Sequence, residues 1–175
     1  MQNIEIKYRL NSCRYIKQQL RTHPEIRFDE QIHQRDVYFK VTEGRLKIRF
    51  QEGKPAQLIR YFREDQPTAR ISNYTIETLQ NPIRRVAELQ QEHGILGQIE
   101  KWRELYFFRN VRIHLDNVTQ LGWFIEFESV ISPETPYIIA RENLQHVLDY
   151  LAPCLKTAEK GSYINLMLAK QQDNT

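Results

Sequence analysis

The chain has 175 residues, of which 41% are hydrophobic, so it is long enough to bury the core of one domain. Its 25 lysines and arginines are nearly balanced by 22 aspartates and glutamates, which leaves a formal charge of +3. This balance argues against indiscriminate nucleic-acid binding, and no apolar run approaches the roughly 20 residues that a membrane helix needs. We therefore expect one domain over residues 1–175, located in the cytoplasm and outside membranes.

The N-terminal half of the chain reads mainly as strands. Residues 3–10 alternate apolar and charged side chains, so that Glu5 and Lys7 share one face of a predicted strand. A short helix is predicted over residues 12–21, with Ser12 as its N-cap. Further strands are predicted over residues 33–40, 45–51, 56–64 and 68–77. The short, turn-forming segments between them indicate an antiparallel meander.

The C-terminal half continues the same pattern. Asn81 is the predicted cap of a helix that ends at Gly94. Three more strands are predicted over residues 97–108, 111–117 and 123–131, and a helix is predicted over residues 136–151. Eight alternating strands and about three helices favour an α+β fold, an eight-stranded antiparallel closed barrel with peripheral helices. The alternative is an open sheet with helices on one face and water on the other.

Basic side chains recur at alternate positions of several predicted strands. The set comprises Lys7, Lys47, Arg49, Arg60, Arg63, Lys101, Arg103 and Arg112. A solvated outer face would explain any one of these strands. However, the apolar alternates, such as Leu46, Ile59 and Tyr61, need cover by amphipathic helices, so we favour helices outside and charges inside. Because each unpaired buried ion costs several kcal/mol, such an interior must hold water or a charged ligand.

Acidic side chains also share strand faces. Glu126 and Glu128 lie two residues apart on one predicted face, and Glu5 would join them from another strand. Carboxylate oxygens suit hard ions such as Mg²⁺ or Mn²⁺, and lysines and arginines suit phosphate oxygens. His114 shares the predicted face of Arg112; we interpret it as a hydrogen-bonded structural histidine, and the alternative is a ligand or proton shuttle. The pattern indicates a chamber for divalent cations and a polyphosphate.

These residues carry a resemblance to a known family. The first strand resembles an E-x-E-x-K signature. Further similar segments are Asp36–Phe39, Gly44–Arg49, Leu58–Arg63, Ser72–Tyr74, Lys101–Tyr106, Arg112–Asp116 and Leu121–Glu128. In this order and over most of the chain, they resemble the CYTH family of triphosphate tunnel metalloenzymes, in particular its class IV adenylate cyclase-like branch.

The resemblance implies an eight-stranded tunnel that holds one or two Mg²⁺ or Mn²⁺ ions and a triphosphate. The implied metal ligands are Glu5, Glu126 and Glu128. The implied phosphate-binding residues are Lys7, Lys47, Arg49, Arg60, Lys101, Arg103 and Arg112. Lys7 and Arg112 are also expected to be catalytic. The expected partner is a triphosphate small molecule such as ATP, with a homodimer allowed and neither nucleic acid nor membrane expected.

The resemblance implies a metal-dependent enzyme, most like a class IV adenylate cyclase that converts ATP to cyclic AMP and pyrophosphate. One position departs from the signature, because Asn3 stands where the family has its first glutamate. The change removes one negative charge and one carboxylate from the expected metal site. A triphosphatase, or a tunnel that binds a phosphorylated ligand without turnover, is therefore the alternative.

Overall fold

The computed structural model describes residues 1–173, which form a closed antiparallel barrel. Its strands are β1 (Gln2–Leu10), β2 (Arg27–Phe39), β3 (Arg45–Gln51), β4 (Lys54–Phe62), β5 (Arg70–Thr78), β6 (Ile95–Phe108), β7 (Val111–Val118) and β8 (Gly122–Ile131). The order around the barrel is β1-β8-β7-β6-β2-β3-β4-β5, and the pairing of β5 with β1 closes it. The predicted eight-stranded closed barrel is confirmed, and β2 to β5 form the predicted meander.

The closure is uneven along β1. β5 pairs with the first part of β1, over residues 2–5, whereas β8 pairs with all of β1. A two-residue strand, β9 (Thr157–Ala158), pairs with β1 at Tyr8 and Arg9, beyond the end of the β5 pairing. The last part of the chain therefore completes the side of the barrel that β5 leaves uncovered.

Four α-helices surround the barrel. They are α1 (Arg14–Thr22), α2 (Pro82–His93), α3 (Tyr137–Leu151) and α4 (Tyr163–Asp173), with a short 3₁₀ helix over Ala152–Cys154. As predicted, the side chain of Asn81 caps α2 by accepting a hydrogen bond from the Arg84 N–H at 3.1 Å. The prediction for Ser12 is wrong by one residue, because Cys13 occupies the N-cap position of α1.

The hydrophobic core lies between the outside of the barrel and these helices. Outward-facing Ile113 and Phe127 are fully buried in a cluster that includes Leu20 of α1 and Leu144 of α3. A second cluster packs the outer faces of β2 and β3 against Leu89 of α2. Because apolar side chains fill the outside of these strands, their alternate side chains face the interior of the barrel.

The prediction of which β4 side chains point into the barrel is wrong. Ile59 and Tyr61 line the interior, whereas Arg60 is exposed outside and its guanidinium lies 5.3 Å from the Phe62 ring. The register with β3 explains this, since Ile59 pairs with Lys47, whose side chain points inward. Arg60 is thus removed from the interior set, and Arg63 takes the inward position nearby.

Within residues 1–173, every helix is too short or too polar to cross a membrane.

Candidate functional site

The barrel encloses a cavity of about 440 Å³, within the range typical of ligand pockets. Of the ten predicted site residues, nine line it, and Arg60 does not. The nine are Glu5, Lys7, Lys47, Arg49, Lys101, Arg103, Arg112, Glu126 and Glu128. The structure therefore brings the expected metal-binding and phosphate-binding side chains into one space, although they come from five different strands.

One side of this cavity carries an excess of positive charge; we call Asp36, Lys47, Arg49 and Lys101 the cationic wall. The Asp36 carboxylate, which is fully buried, accepts hydrogen bonds from Lys47 Nζ at 2.9 Å and Lys101 Nζ at 3.0 Å. It also accepts two from Arg49, from Nε at 2.8 Å and Nη2 at 2.9 Å. Three cations thus share one carboxylate.

Burial disfavours the charged forms of these side chains, and their pKa values are shifted accordingly. Burial lowers the pKa of Lys101 to about 7 and that of Lys47 to about 8, despite the attraction of Asp36. Burial alone would raise the pKa of Asp36, but Arg49, Lys101 and Lys47 hold it well below its usual range. An anion in the cavity would favour the charged form of both lysines.

A second cationic group lies beside this wall. Arg103 forms a bidentate pair with Asp116, with Nε and Nη2 each 2.7 Å from a carboxylate oxygen. The Tyr163 hydroxyl donates to the same carboxylate at 2.7 Å, and the Tyr163 ring lies 3.8 Å from Lys7 Nζ. Tyr163 comes from the first turn of α4, so this helix helps to fix the orientation of Arg103 and Lys7.

The opposite side of the cavity carries three carboxylates; we call Glu5, Glu126 and Glu128 the acidic wall. Antiparallel pairing of β1 with β8 sets Glu5 opposite Glu128 and Lys7 opposite Glu126. Each carboxylate has a basic partner. The pairs are Glu5 with Arg63 at 2.9 Å, Glu126 with Lys7 at 3.1 Å and Glu128 with Arg112 at 2.7 Å. Together with these basic partners, the acidic wall is close to neutral, although it is rich in carboxylate oxygen atoms.

The side chains of the acidic wall and the adjacent His114 also have shifted pKa values. Burial, together with the charge of Glu126, raises the pKa of Glu5. Burial would raise the pKa of Glu126 as well, but Lys7 and the neighbouring basic groups hold it well below its usual range. Burial, followed by the charge of Arg103, lowers the pKa of His114. At neutral pH, Glu126 is therefore ionised and His114 is neutral.

Four buried polar atoms of cavity-lining residues lack a hydrogen-bond partner among residues 1–173: Asn3 Oδ1, Gln34 Oε1, Arg112 Nε and His114 Nδ1. Two of them are potential metal ligands, Asn3 Oδ1 and His114 Nδ1, in residues that are 3% and 5% exposed. One possible ligand atom from each of His114, Glu126 and Glu128 lies within 4.8 Å of the others. Carboxylate oxygens with uncommitted buried lone pairs fit a divalent cation, so the residues present are compatible with the metal that the sequence suggests.

Sequence reasoning gave no role to Asp36 and Asp116, which organise the basic residues. Both are fully buried, and the partners of Asp36 lie 11, 13 and 65 residues away in the chain. Asp36 lies on the inward-facing side of β2 with Gln34 and Tyr38. The sequence did show that an acidic residue shares a strand face with other polar side chains. Its basic partners could not be identified without knowing the order of the strands.

Comparisons with known proteins agree with this geometry. A sequence model of the CYTH domain matches residues 1–160. None of the curated proteins matches the chain. The structure of a protein from Pyrococcus horikoshii is similar with a TM-score of 0.81 and 23% identity, covering 94% of this chain and 98% of that one. A candidate adenylate cyclase from Vibrio parahaemolyticus gives 0.71 and 20%, covering 94% and 97%.

The structure is more distantly similar to that of an RNA triphosphatase from Schizosaccharomyces pombe. The TM-score is 0.54 at 10% identity, and the match covers 92% of this chain and 86% of that one. At these identities the likenesses establish the closed tunnel fold. Because the CYTH model spans most of the sequence and the fold agrees with it, the chain belongs to the CYTH domain family.

Proposed function

We propose that the protein is a metal-dependent enzyme that acts on a triphosphate, most like a class IV adenylate cyclase that converts ATP to cyclic AMP and pyrophosphate. The observation that carries this proposal is that the cationic and acidic walls face one cavity. A metal-bound triphosphate supplies the negative charge that the first wall lacks and the cation that the second can ligate.

The cationic wall is suited to the polyphosphate chain. Lys47, Arg49 and Lys101 can carry up to three positive charges against the single charge of Asp36, and a bound anion favours the fully charged state. Arginine forms bidentate contacts with phosphate oxygens and lysine supplies a compact point charge. When an anion enters, these side chains can transfer hydrogen bonds from Asp36 to phosphate oxygens without unfolding the site.

The acidic wall is suited to Mg²⁺ or Mn²⁺, held by Glu5, Glu126 and Glu128. Such an ion, when bound, polarises phosphoryl oxygens and lowers the pKa of a coordinated nucleophile. In the proposed cyclase reaction the ribose 3′-hydroxyl attacks the α-phosphorus and pyrophosphate leaves.

Lys7 and Arg112 lie next to the carboxylates and are the proposed catalytic cations. Lys7 Nζ pairs with Glu126, and Arg112 Nη2 contacts both Glu128 and the Tyr74 hydroxyl, the latter at 3.1 Å. Cations held in place before reaction stabilise charge that develops on phosphoryl and leaving-group oxygens. Their role is to neutralise that charge while the buried partners keep them in position.

The direct test is incubation of the folded protein with ATP, or with inorganic triphosphate, in the presence of Mg²⁺ or Mn²⁺. Cyclic AMP together with pyrophosphate supports the cyclase proposal. Release of inorganic phosphate without cyclic AMP supports a triphosphatase, in which water attacks the terminal phosphorus. Absence of all three products would contradict both enzymatic functions.

A tunnel that binds a phosphorylated ligand without turnover, or turns it over slowly, is the second candidate, and Asn3 is the observation that favours it. Its Oδ1 is buried, faces the cavity and has no hydrogen-bond partner in the described part of the chain. An amide oxygen can still ligate a metal, but it carries no charge with which to attract one.

The variant Asn3→Glu tests this candidate. Restoring a carboxylate beside Glu5 should raise Mn²⁺ or Mg²⁺ affinity by about tenfold and increase turnover, because it adds negative charge at the metal site. Asn73→Glu, at an exposed position of β5, is the matched control and should change neither. Unchanged metal affinity in Asn3→Glu would show that Asn3 does not weaken the site.

A further inference from the structure

His114 occupies an unusual position inside the tunnel. It lies on β7, paired with Leu105 of β6 on one side and Glu126 of β8 on the other. The residue is 95% buried in the cavity lining, yet Nδ1 has no hydrogen-bond partner within residues 1–173. A buried ring nitrogen without a partner costs free energy unless a group in the cavity pairs with it.

The surroundings of Nδ1 are two carboxylates. Nδ1 lies 3.7 Å from Glu126 Oε2 and 3.7 Å from Glu128 Oε1, beyond hydrogen-bond distance in both cases. Atoms bonded to one metal at about 2.1 Å lie about 3 Å apart when adjacent and about 4.2 Å apart when opposite. The observed separations of 3.7 Å exceed hydrogen-bond distance and lie between these two values, so that a shared metal can be accommodated.

The other oxygen of each carboxylate is already engaged. Glu126 Oε1 pairs with Lys7, and Glu128 Oε2 pairs with Arg112. The oxygens that face His114 are therefore the ones left for a ligand. Arg103 Nη2 lies 3.4 Å from Glu126 Oε2, but Arg103 is held mainly by its bidentate pair with Asp116.

We infer that His114 Nδ1 is a direct metal ligand together with Glu126 and Glu128, and that this site binds a first-row transition dication such as Mn²⁺ in preference to Mg²⁺. The inference deepens the proposed function and rests on it for its catalytic meaning. Imidazole nitrogen binds transition dications well, whereas Mg²⁺ retains oxygen ligands and water. A site of carboxylates alone would show a weaker preference.

The first experiment titrates metal-free protein with Mn²⁺ alone and with Mg²⁺ alone, without any triphosphate. His114→Gln should weaken Mn²⁺ binding by about tenfold or more and Mg²⁺ binding by less than about threefold. The matched control is His33→Gln, since His33 lies on β2 of the same barrel but outside the cavity, paired with Glu100. It should leave both affinities unchanged. Equal Mn²⁺ affinity in His114→Gln and the unmodified protein would overturn the inference.

The second experiment identifies the ligand directly and does not depend on the folding of a variant. Pulsed electron paramagnetic resonance of the Mn²⁺-loaded protein should show coupling to an imidazole nitrogen, and His33→Gln should retain this coupling. Mn²⁺ bound without nitrogen coupling, or no Mn²⁺ binding, would overturn the inference. A structural histidine that stabilised the barrel without contacting the metal would produce no such signal.

The two proposals fail separately, because these measurements need no turnover. Nitrogen-coupled Mn²⁺ in a protein that processes neither ATP nor inorganic triphosphate would refute the proposed enzyme and retain the metal site. An active protein whose bound Mn²⁺ lacks nitrogen coupling would retain the enzyme and refute the role of His114.

Discussion

The cationic and acidic walls face the same cavity, but they balance their charges differently. On the cationic wall three basic side chains share Asp36, so that positive charge is in excess. On the acidic wall each carboxylate has a basic partner of its own, so that the wall is nearly neutral but has oxygen atoms to spare. One wall therefore needs an anion, whereas the other offers ligands to a cation.

This difference indicates how the chain can keep so many ions buried before a ligand binds. A buried pair is tolerated when both partners are hydrogen-bonded, whereas an unpaired charge is costly. Asp36 occupies the place among the cations that we assign to a phosphate group of the ligand. The tunnel is consequently folded and charged in advance, as electrostatic preorganisation requires.

The largest expected effect comes from removing the shared acid. Asp36→Asn leaves Lys47, Arg49 and Lys101 without a counter-charge and should lower the free energy of unfolding by about 3–5 kcal/mol. Urea denaturation measures the loss. Glu88→Gln, in an exposed ion pair on α2, should leave stability nearly unchanged.

The same variant tests whether an anion replaces Asp36. Inorganic triphosphate should raise the melting temperature of Asp36→Asn more than that of the unmodified protein, because it supplies the missing negative charge. An Asp36→Asn protein of normal stability would show that the cations do not depend on this carboxylate.

A smaller effect distinguishes the inner and outer faces of the barrel. Arg49→Ala should weaken the binding of inorganic triphosphate by roughly 10- to 100-fold, because charge-assisted hydrogen bonds contribute about 1.5–3 kcal/mol. Arg60→Ala removes the same group from the exposed face of the neighbouring strand and should change binding by less than about twofold. Isothermal calorimetry measures both. Equal losses would contradict the facing of β4.

The smallest expected effect is a pH dependence specific to the cationic wall. Burial places the pKa of Lys101 at about 7 and that of Lys47 at about 8 in the free protein, so that both lysines lose their charge as the pH rises through these values. Since an anion binds the charged form, triphosphate affinity should fall by up to about tenfold between about pH 6 and about pH 9.

Lys101→Arg provides the comparison for this pH dependence. The guanidinium stays charged over the whole range, so the variant should show a shallower fall than the unmodified protein. Affinities measured by calorimetry in matched buffers give the difference between the two profiles. Identical profiles would mean that Lys101 does not titrate in this range or does not contact the anion.

Much of the barrel could be predicted because most strands have one apolar face. In β8, Ile125 and Phe127 alternate with Glu126 and Glu128, and only one arrangement buries the first pair against the helices. The sequence of β4 lacks this contrast. Leu58 and Ile59 are both apolar and lie on opposite faces, so that pattern alone cannot choose which face is inside.

The site was predictable in its residue types but less so in its connections. Glu126 and Glu128 share a face by strand geometry, and Glu5 joins them because β1 pairs with β8. The link from Asp36 to Lys101 joins residues 65 apart and depends on the pairing of β2 with β6. Likewise, the state of His114 Nδ1 depends on interatomic distances, which a strand pattern does not specify.

The most direct test of the central claim is a crystal structure of the protein with Mn²⁺ and an ATP analogue that cannot be cleaved between the α- and β-phosphates, with the metal located by anomalous scattering. We predict one Mn²⁺ ion on the acidic wall, between Glu126, Glu128 and His114, and triphosphate oxygens bound to Lys47, Arg49 and Lys101. A nucleotide bound outside the barrel, with Asp36 still holding all three cations, would contradict the claim that the two walls act together.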